Sequence, residues 1–266
     1  MKILTANTAF GIRMDSLWRH LRGHLAFHGA GAIAYLFFPP AHKLFPVAEA
    51  YSRARYLRAH SSISAILTLI EEENPDILVL NELIYELMHD PLKEALRQLG
   101  YTSFAWGKSE HHEDAHVSTL VAAKESGEAF PCTMPQNPYM GGGGGIAGLR
   151  LGSGVSVIGA HLVNGQSIWK AQVEAIADQA QKEIDSGNKV ILAGDWNHNE
   201  RAINEVESFR ALGLKSVEKK ESGTCPSFFL WRFALDHIFI SETWKSARAN
   251  TLAFGSDHLA LSAEIE

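Results

Sequence analysis

Several stretches of this sequence finish, or begin, an apolar run on a side chain able to ligate a metal or move a proton. The first strand-like segment ends near Asn7, DILVLNE on Glu82, VSVIGAHLVN on His161 and Asn164, and KVILAGDWN on Asp195 and Asn197. LDHIFI opens on Asp236, and GSDHLAL near the C-terminus carries Asp257 and His258. A hydrophobic core has no need of these groups, whereas ligands of open α/β architectures bind beyond strand ends. If the ends share one edge, carboxylates, amides and imidazoles face a single cleft. An oxygen-rich set of that kind suits Mg2+ or Mn2+ better than a soft metal. Singly, each residue has a plainer explanation. An Asp or Asn after a strand commonly closes a turn, Glu82 can be the first-turn acid of a following helix, and a lone His161 can be a satisfied core histidine. Only the ordered set outweighs these readings.

A competing pattern lies at His112-Glu113-Asp114-Ala115-His116, which fits H-E-x-x-H letter for letter. On a helix, those histidines would bind Zn2+ and the glutamate would activate water, as in a zinc peptidase. The stretch GKSEHHEDAH is nearly all polar, however, and the VSTLVAA that follows reads as a strand. The pattern predicts a polar loop entering a strand, with His116 left as a candidate substrate contact.

The elements that must position these groups follow from hydrophobic period. Alternation or short apolar runs predict strands over Met1–Phe10, Asp76–Asn81, Tyr101–Trp106, Val117–Ala123, Ile146–Leu151, Gly154–His161 and Lys189–Ala193, and again over 236–241, 247–253 and 259–265. Helical spacing predicts Tyr51–Glu73, stopped by Asn74-Pro75, together with Leu83–Leu99, Gln166–Ser186 and Arg201–Leu212. About ten strands and four helices in mixed order point to two packed sheets with helices outside, rather than a simple doubly wound sheet. The glycine run Gly141–Gly145 reads as a loop. It is no phosphate-binding P-loop, because no Gly-Lys-Ser/Thr follows.

The chain has 266 residues, 46% hydrophobic and 20% charged, with two cysteines, Cys132 and Cys225. This is a globular composition that excludes a disulfide scaffold, a four-cysteine zinc module, a collagen or a coiled coil. The net charge of −6 is uneven, since residues 1–60 hold eight Lys/Arg against Asp15 and Glu49. No secretory signal is visible at the N-terminus, so a cytoplasmic protein is expected. From Gly23 to His42 no residue is charged, but His24, His28, three glycines and Pro39-Pro40 argue against a membrane span.

Taken together, Asn7, the LNE with Glu82, the AHL with His161, the GDWN with Asp195 and Asn197, the LDHIF with Asp236 and the SDH of Ser256, Asp257 and His258 resemble the endonuclease/exonuclease/phosphatase superfamily. That superfamily includes pancreatic-type deoxyribonucleases, abasic-site endonucleases, neutral sphingomyelinases and inositol-polyphosphate 5-phosphatases. The resemblance covers nearly the whole chain in the family's order. It implies a four-layer α/β sandwich, two packed mixed sheets flanked by helices, as one domain over 1–266 with an apolar and basic insert at about 11–50. It also implies a Mg2+- or Mn2+-dependent phosphodiesterase. On that pattern Glu82 is the main metal ligand, with Asn7 and Asp257 beside it. Asp195 and Asn197 position and deprotonate water, Asp236 fixes the tautomer of His258, His258 contacts the phosphoryl group or acts as base, and His161 donates to phosphate or leaving group. Asn164 and His116 are candidate substrate contacts. Reading Asp195-Trp-Asn197 as extended places both polar side chains on one face.

The substrate is less defined. The forty residues between the first strand and the first helix combine basic residues with Trp18, Phe27, Tyr35, Phe37, Phe38 and Phe45. That is long for a loop, and it leaves the strand carrying Asn7. GAIAYLFFPP is too apolar for a nucleic-acid groove and suits a membrane surface, so residues 23–45 favour a lipid or other amphiphilic phosphodiester and a membrane-associated protein. Nucleic acid is the alternative substrate. A non-catalytic binding module on the same fold is the alternative of another class, disfavoured by the complete polar set.

Overall fold

The computed structural model describes residues 1–9, 62–109, 116–136, 145–164, 166–219, 223–226, 232–245 and 247–266. The insert at about 11–50, the first part of the helix expected over Tyr51–Glu73, and residues 112–115 lie outside the described residues.

Two sheets face each other. The first contains β1 (Lys2–Asn7), β2 (Ile77–Ile84), β3 (Ser103–Lys108), β4 (Val117–Ala123), β10 (Glu218–Lys219), β14 (Ala247–Leu252) and β15 (Ala260–Ile265), in the order β10-β14-β15-β1-β2-β4-β3. The second contains β5 (Gly127–Phe130), β6 (Gly145–Leu151), β7 (Val155–His161), β8 (Lys189–Asp195), β9 (Lys215–Ser216) and β13 (Asp236–Ile240), in the order β5-β6-β7-β8-β13-β9. A small hairpin of β11 (Cys225–Pro226) and β12 (Arg232–Phe233) stands apart. Helices α1 (Ser64–Glu73) and α2 (Tyr85–Gln98) belong to the layer outside the first sheet, while α3 (Gln166–Asp185), α4 (Glu200–Asn204) and α5 (Glu207–Ala211) cover the second. This is the four-layer sandwich that the sequence predicts.

Three apolar layers result. Between the sheets lie Ile3, Ile77, Val79, Val121, Leu149, Val157, Ile191, Ala193, Ile238 and Leu261. Ile66, Ile70, Leu92 and Leu96 from the helices seal the outer face of the first sheet. Val173, Ile176, Ile203 and Phe209 seal that of the second. Each such Val, Leu, Ile or Phe side chain contributes about 1.5–3 kcal/mol by leaving water.

Differences from the sequence reading have local causes. The helix expected over Arg201–Leu212 is two short helices, because the chain turns extended at Val206 (ψ 115°). The strand β5 was not anticipated; its residues are half-buried or exposed and show no alternation. The zinc-peptidase reading fails at His116. The residue leads into β4 rather than lying on a helix, and its carbonyl accepts from Tyr85 N–H at 2.9 Å. Its ring and its own N–H both engage the Glu86 carboxylate.

Candidate active site

Alternation and register together build the site. Ile3, Ile77 and Val79 on the first sheet face the inter-sheet core, as do Val155, Val157, Ile191, Ala193, Ile238 and Ile240 on the second. Stepping by two along each strand continues these rows to Asn7, Asn81, His161, Asp195 and Asp236. Register brings the ends level, with Asn7 opposite Asn81, His161 opposite Asp195, and Asp236 opposite Asp195. The site is therefore the polar continuation of the layer between the sheets, and all five of these residues are buried.

Glu82 is out of phase with that row. Between Leu80 and Leu83, β2 advances three residues while β4 retreats two, from Leu120 to Ser118, so one extra residue is accommodated as a β-bulge. Glu82 takes a left-handed conformation there, with φ 55°, costly for a residue with a Cβ. Thr8 holds the bulge, its hydroxyl donating to the carbonyls of Asn81 and Glu82 at 3.0 Å each. The result is a Glu82 carboxylate 3.6 Å from His161 Nε2 on the opposite sheet.

Asp195 Oδ2 is the hub. It accepts from Asn7 Nδ2 at 2.9 Å. His161 Nε2 lies 3.8 Å away and His258 Nε2 3.9 Å away. The other oxygen, Oδ1, accepts the Asn197 N–H at 2.9 Å. Asn197 is not extended, as the sequence reading assumed, but left-handed at φ 52°. It still reaches the site, and its Nδ2 donates to the Leu162 carbonyl at 2.7 Å. His258 Nδ1 meets Asp236 Oδ2 at 2.8 Å, which orients the ring and leaves Nε2 toward Asp195. Ser256 donates to the Asn7 carbonyl at 2.7 Å and to Asp257 Oδ1 at 3.2 Å, tying the C-terminal Ser-Asp-His turn to the first strand.

Electrostatics single out Glu82. Burial raises its carboxyl above the ordinary range, His161 and His258 pull it back, and the nearby charges of Asp257 and Asp195 push it further up. Three acidic groups thus converge where, among the described residues, no lysine or arginine acts on Glu82, an arrangement that suits a hard divalent cation. Ligand atoms of Asp195, Asp236 and His258 also lie within 4.8 Å of one another. There, however, Asp236 and His258 are spent on each other, so the fit for a cation is better on the Glu82 side.

Of the sequence-predicted residues, Asn7, Glu82, His161, Asp195, Asn197, Asp236, Asp257 and His258 come together. Asn164 is exposed in the loop after β7. His116 is paired with Glu86 at the start of α2, a short way along the chain from Glu82. Three contributors were not singled out from sequence. Thr224 Oγ1 accepts the Asp236 N–H at 3.1 Å, Trp169 Nε1 donates to the Trp196 carbonyl at 2.8 Å beside Asp195, and Asn81 lies fully buried between the sheets. Asn81 carried a signal, since an amide on the core-facing row of an apolar strand must find partners.

The sequence profile described as the Endonuclease/Exonuclease/phosphatase family matches residues 4–258. No curated protein matches the sequence. Among solved structures, the fold is similar to an endonuclease/exonuclease/phosphatase family protein from Leptotrichia buccalis, with TM-score 0.64 and 14% identity over 100% of this chain and 99% of that one. It is similar to D. rerio TDP2 complexed with single strand DNA product, with TM-score 0.60 and 16% identity over 100% and 98%. An AP endonuclease from Archaeoglobus fulgidus gives TM-score 0.59 and 17% identity over 77% and 96%.

Proposed function

Because the chain belongs to the endonuclease/exonuclease/phosphatase family across residues 4–258, we propose that it hydrolyses phosphodiesters with the help of Mg2+ or Mn2+. The observation that carries this reading is the convergence on Asp195 Oδ2 of Asn7, His161 and His258, with Glu82 beside His161. Glu82, with Asn7 and Asp257, would hold the cation, which when bound neutralises phosphoryl oxygens and favours attack on an anionic ester. Asp195 accepts a proton from the attacking water, which Asn197 helps to place. Its carboxylate is already aimed by two donated hydrogen bonds, so little reorganisation precedes the reaction. His258, oriented by Asp236, faces the same point and contacts the phosphoryl group or shares the base role. His161 Nε2, set between Glu82 and Asp195, donates toward the phosphate or the leaving oxygen.

For substrate, the apolar composition of residues 23–45, with Arg22 before it and Lys43 near its end, supports a lipid or amphiphilic phosphodiester, with contact to a membrane surface. No helix among the described residues is long and apolar enough to cross a membrane. A second reading, nucleic-acid hydrolysis, is favoured by the similarity to the TDP2 fold that was solved with a single-stranded DNA product. The cytoplasmic side of a membrane is the location that accompanies the first reading.

The test is hydrolysis of bis-p-nitrophenyl phosphate by metal-stripped protein. Activity should return with Mg2+ or Mn2+, and Asp195→Ala should lower kcat by at least about a thousandfold. Retained activity in Asp195→Ala would refute the reading. Mixed-lipid vesicles and an abasic DNA duplex, offered to the 266-residue chain and to a variant lacking residues 23–45, separate the substrates. Normal vesicle binding by the deletion variant would remove the lipid preference.

A further inference from the structure

Asn81 is a fully buried polar residue that the mechanism above leaves unused. It is the residue before Glu82 and belongs to the first sheet, but its carboxamide spans the interior to the second. Nδ2 donates to Thr119 Oγ1 at 3.0 Å on the neighbouring strand and to the Ala160 carbonyl at 3.2 Å across the gap. Oδ1 accepts the main-chain N–H of Asp195 at 3.0 Å. Thr119 in turn donates to the Gly145 carbonyl at 3.1 Å, again on the second sheet.

Apolar contact sets the separation of two sheets but has little direction. Hydrogen bonds fix direction as well as distance. A fully buried amide must also be satisfied on both ends to avoid a desolvation cost, so these bonds hold the group to one position. The backbone opposite is shaped to admit it. Gly194, at φ 137°, has no Cβ; one placed there would lie 2.0 Å from the Ala160 oxygen and 3.0 Å from Asn81 Oδ1. A side chain at 194 would therefore clash with the strand partner and crowd the carboxamide.

We propose that Asn81 is a positioning residue for the reaction, its carboxamide fixing the Asp195 main chain on the second sheet relative to Glu82 on the first. The proposal rests on the phosphodiesterase reading of this site. It assigns Asn81 no contact with substrate. Its effect runs through the placement of Asp195, where a shift of about 1 Å costs roughly a hundredfold in rate.

Three variants test it: Asn81→Leu, which keeps the number and branching of side-chain heavy atoms and removes the bonds; Thr119→Val, which removes one acceptor; and Leu78→Ala, a core control on the helix-facing side of β2. Each is compared well below its Tm. Asn81→Leu should lower kcat on bis-p-nitrophenyl phosphate about a hundredfold, with KM within about threefold, and Thr119→Val should lower kcat about tenfold. Leu78→Ala, at similar loss of Tm, should leave kcat within about threefold. By NMR, amide exchange at Asp195 should accelerate in Asn81→Leu relative to that at Ile191. Equal kcat for Asn81→Leu and Leu78→Ala, or retained protection at Asp195, would overturn the proposal. If Asn81→Leu does not fold, Thr119→Val decides on the same readouts. Wild-type protein inert toward phosphodiesters would sink the reaction reading and the catalytic part of this proposal together, whereas lost protection at Asp195 would still support the tether.

Discussion

Glu82 is held against its own chemical preference: left-handed on a bulge, half-buried and close to two other acids. Its carboxyl is raised in the folded protein, so folded chains keep a proton that unfolded chains have already released. Ionising it costs stability in full above the raised folded value, and the cost vanishes below the ordinary carboxyl value. Metal-free Glu82→Gln should therefore be more stable than wild type near neutral pH, and that advantage should fade on acidification. Chemical denaturation at two pH values reads the difference. Asp236→Asn keeps the shape of the His258 contact but removes its charge. It should lower kcat about ten- to a hundredfold with little change in Tm, as steady-state kinetics and thermal melts would show. Most of this site was legible in the sequence because Asn7, His161, Asp195 and Asp236 simply extend core-facing rows. The aim of Glu82 was not legible, since alternation points it the wrong way and only the bulge re-aims it. Asn81 is hidden for the opposite reason: its place on the core-facing row of an apolar strand marks it as core.

The elements carrying these residues have their own supports. On β6 and β7, Arg150 and Ser156 meet Glu183 of α3. Arg150 Nη2 and Nε reach its two oxygens at 2.7 and 3.0 Å, and Ser156 Oγ donates at 2.7 Å. Asn188 Nδ2 adds a bond at 3.0 Å. Burial alone would raise the Glu183 carboxyl, but these donors outweigh it and hold it below the ordinary value of 4.5. A lowered folded value gives stability that is present above the unfolded value and lost as pH falls through the folded one. Glu183→Ala should cost about 2 kcal/mol at pH 7, less than a fully buried pair because Arg150 is partly exposed, and much less at pH 3. Urea melts of both proteins at each pH check this. Long elements were legible from period, as Val117–Ala123 and Gln166–Asp185 illustrate. The two-residue strands β9 to β12 are too short to have a period, and β5 sits at a half-exposed edge where nothing enforces one.

At the scale of the molecule, the mixed order of strands and helices already implied two sheets back to back. Parallel pairing of β1 with β2 and of β7 with β8 then puts the ends of all four strands at one rim of the sandwich. That placement is what lets residues from position 7 to position 258 share a cleft. Fold similarity at 14–17% identity does not choose a substrate. The choice falls to the vesicle and DNA comparison, because the apolar and basic stretch on which the lipid preference rests lies outside the described residues. The claim beneath all of this is that the rim binds a divalent cation through Glu82. Calorimetric titration of Mn2+ into metal-free protein tests it most directly, with Glu125→Gln as a control carboxylate from the far end of the sandwich. Wild type and Glu125→Gln should bind alike, and Glu82→Gln should bind at least about tenfold more weakly. Equal Mn2+ affinity in Glu82→Gln and wild type would contradict the account.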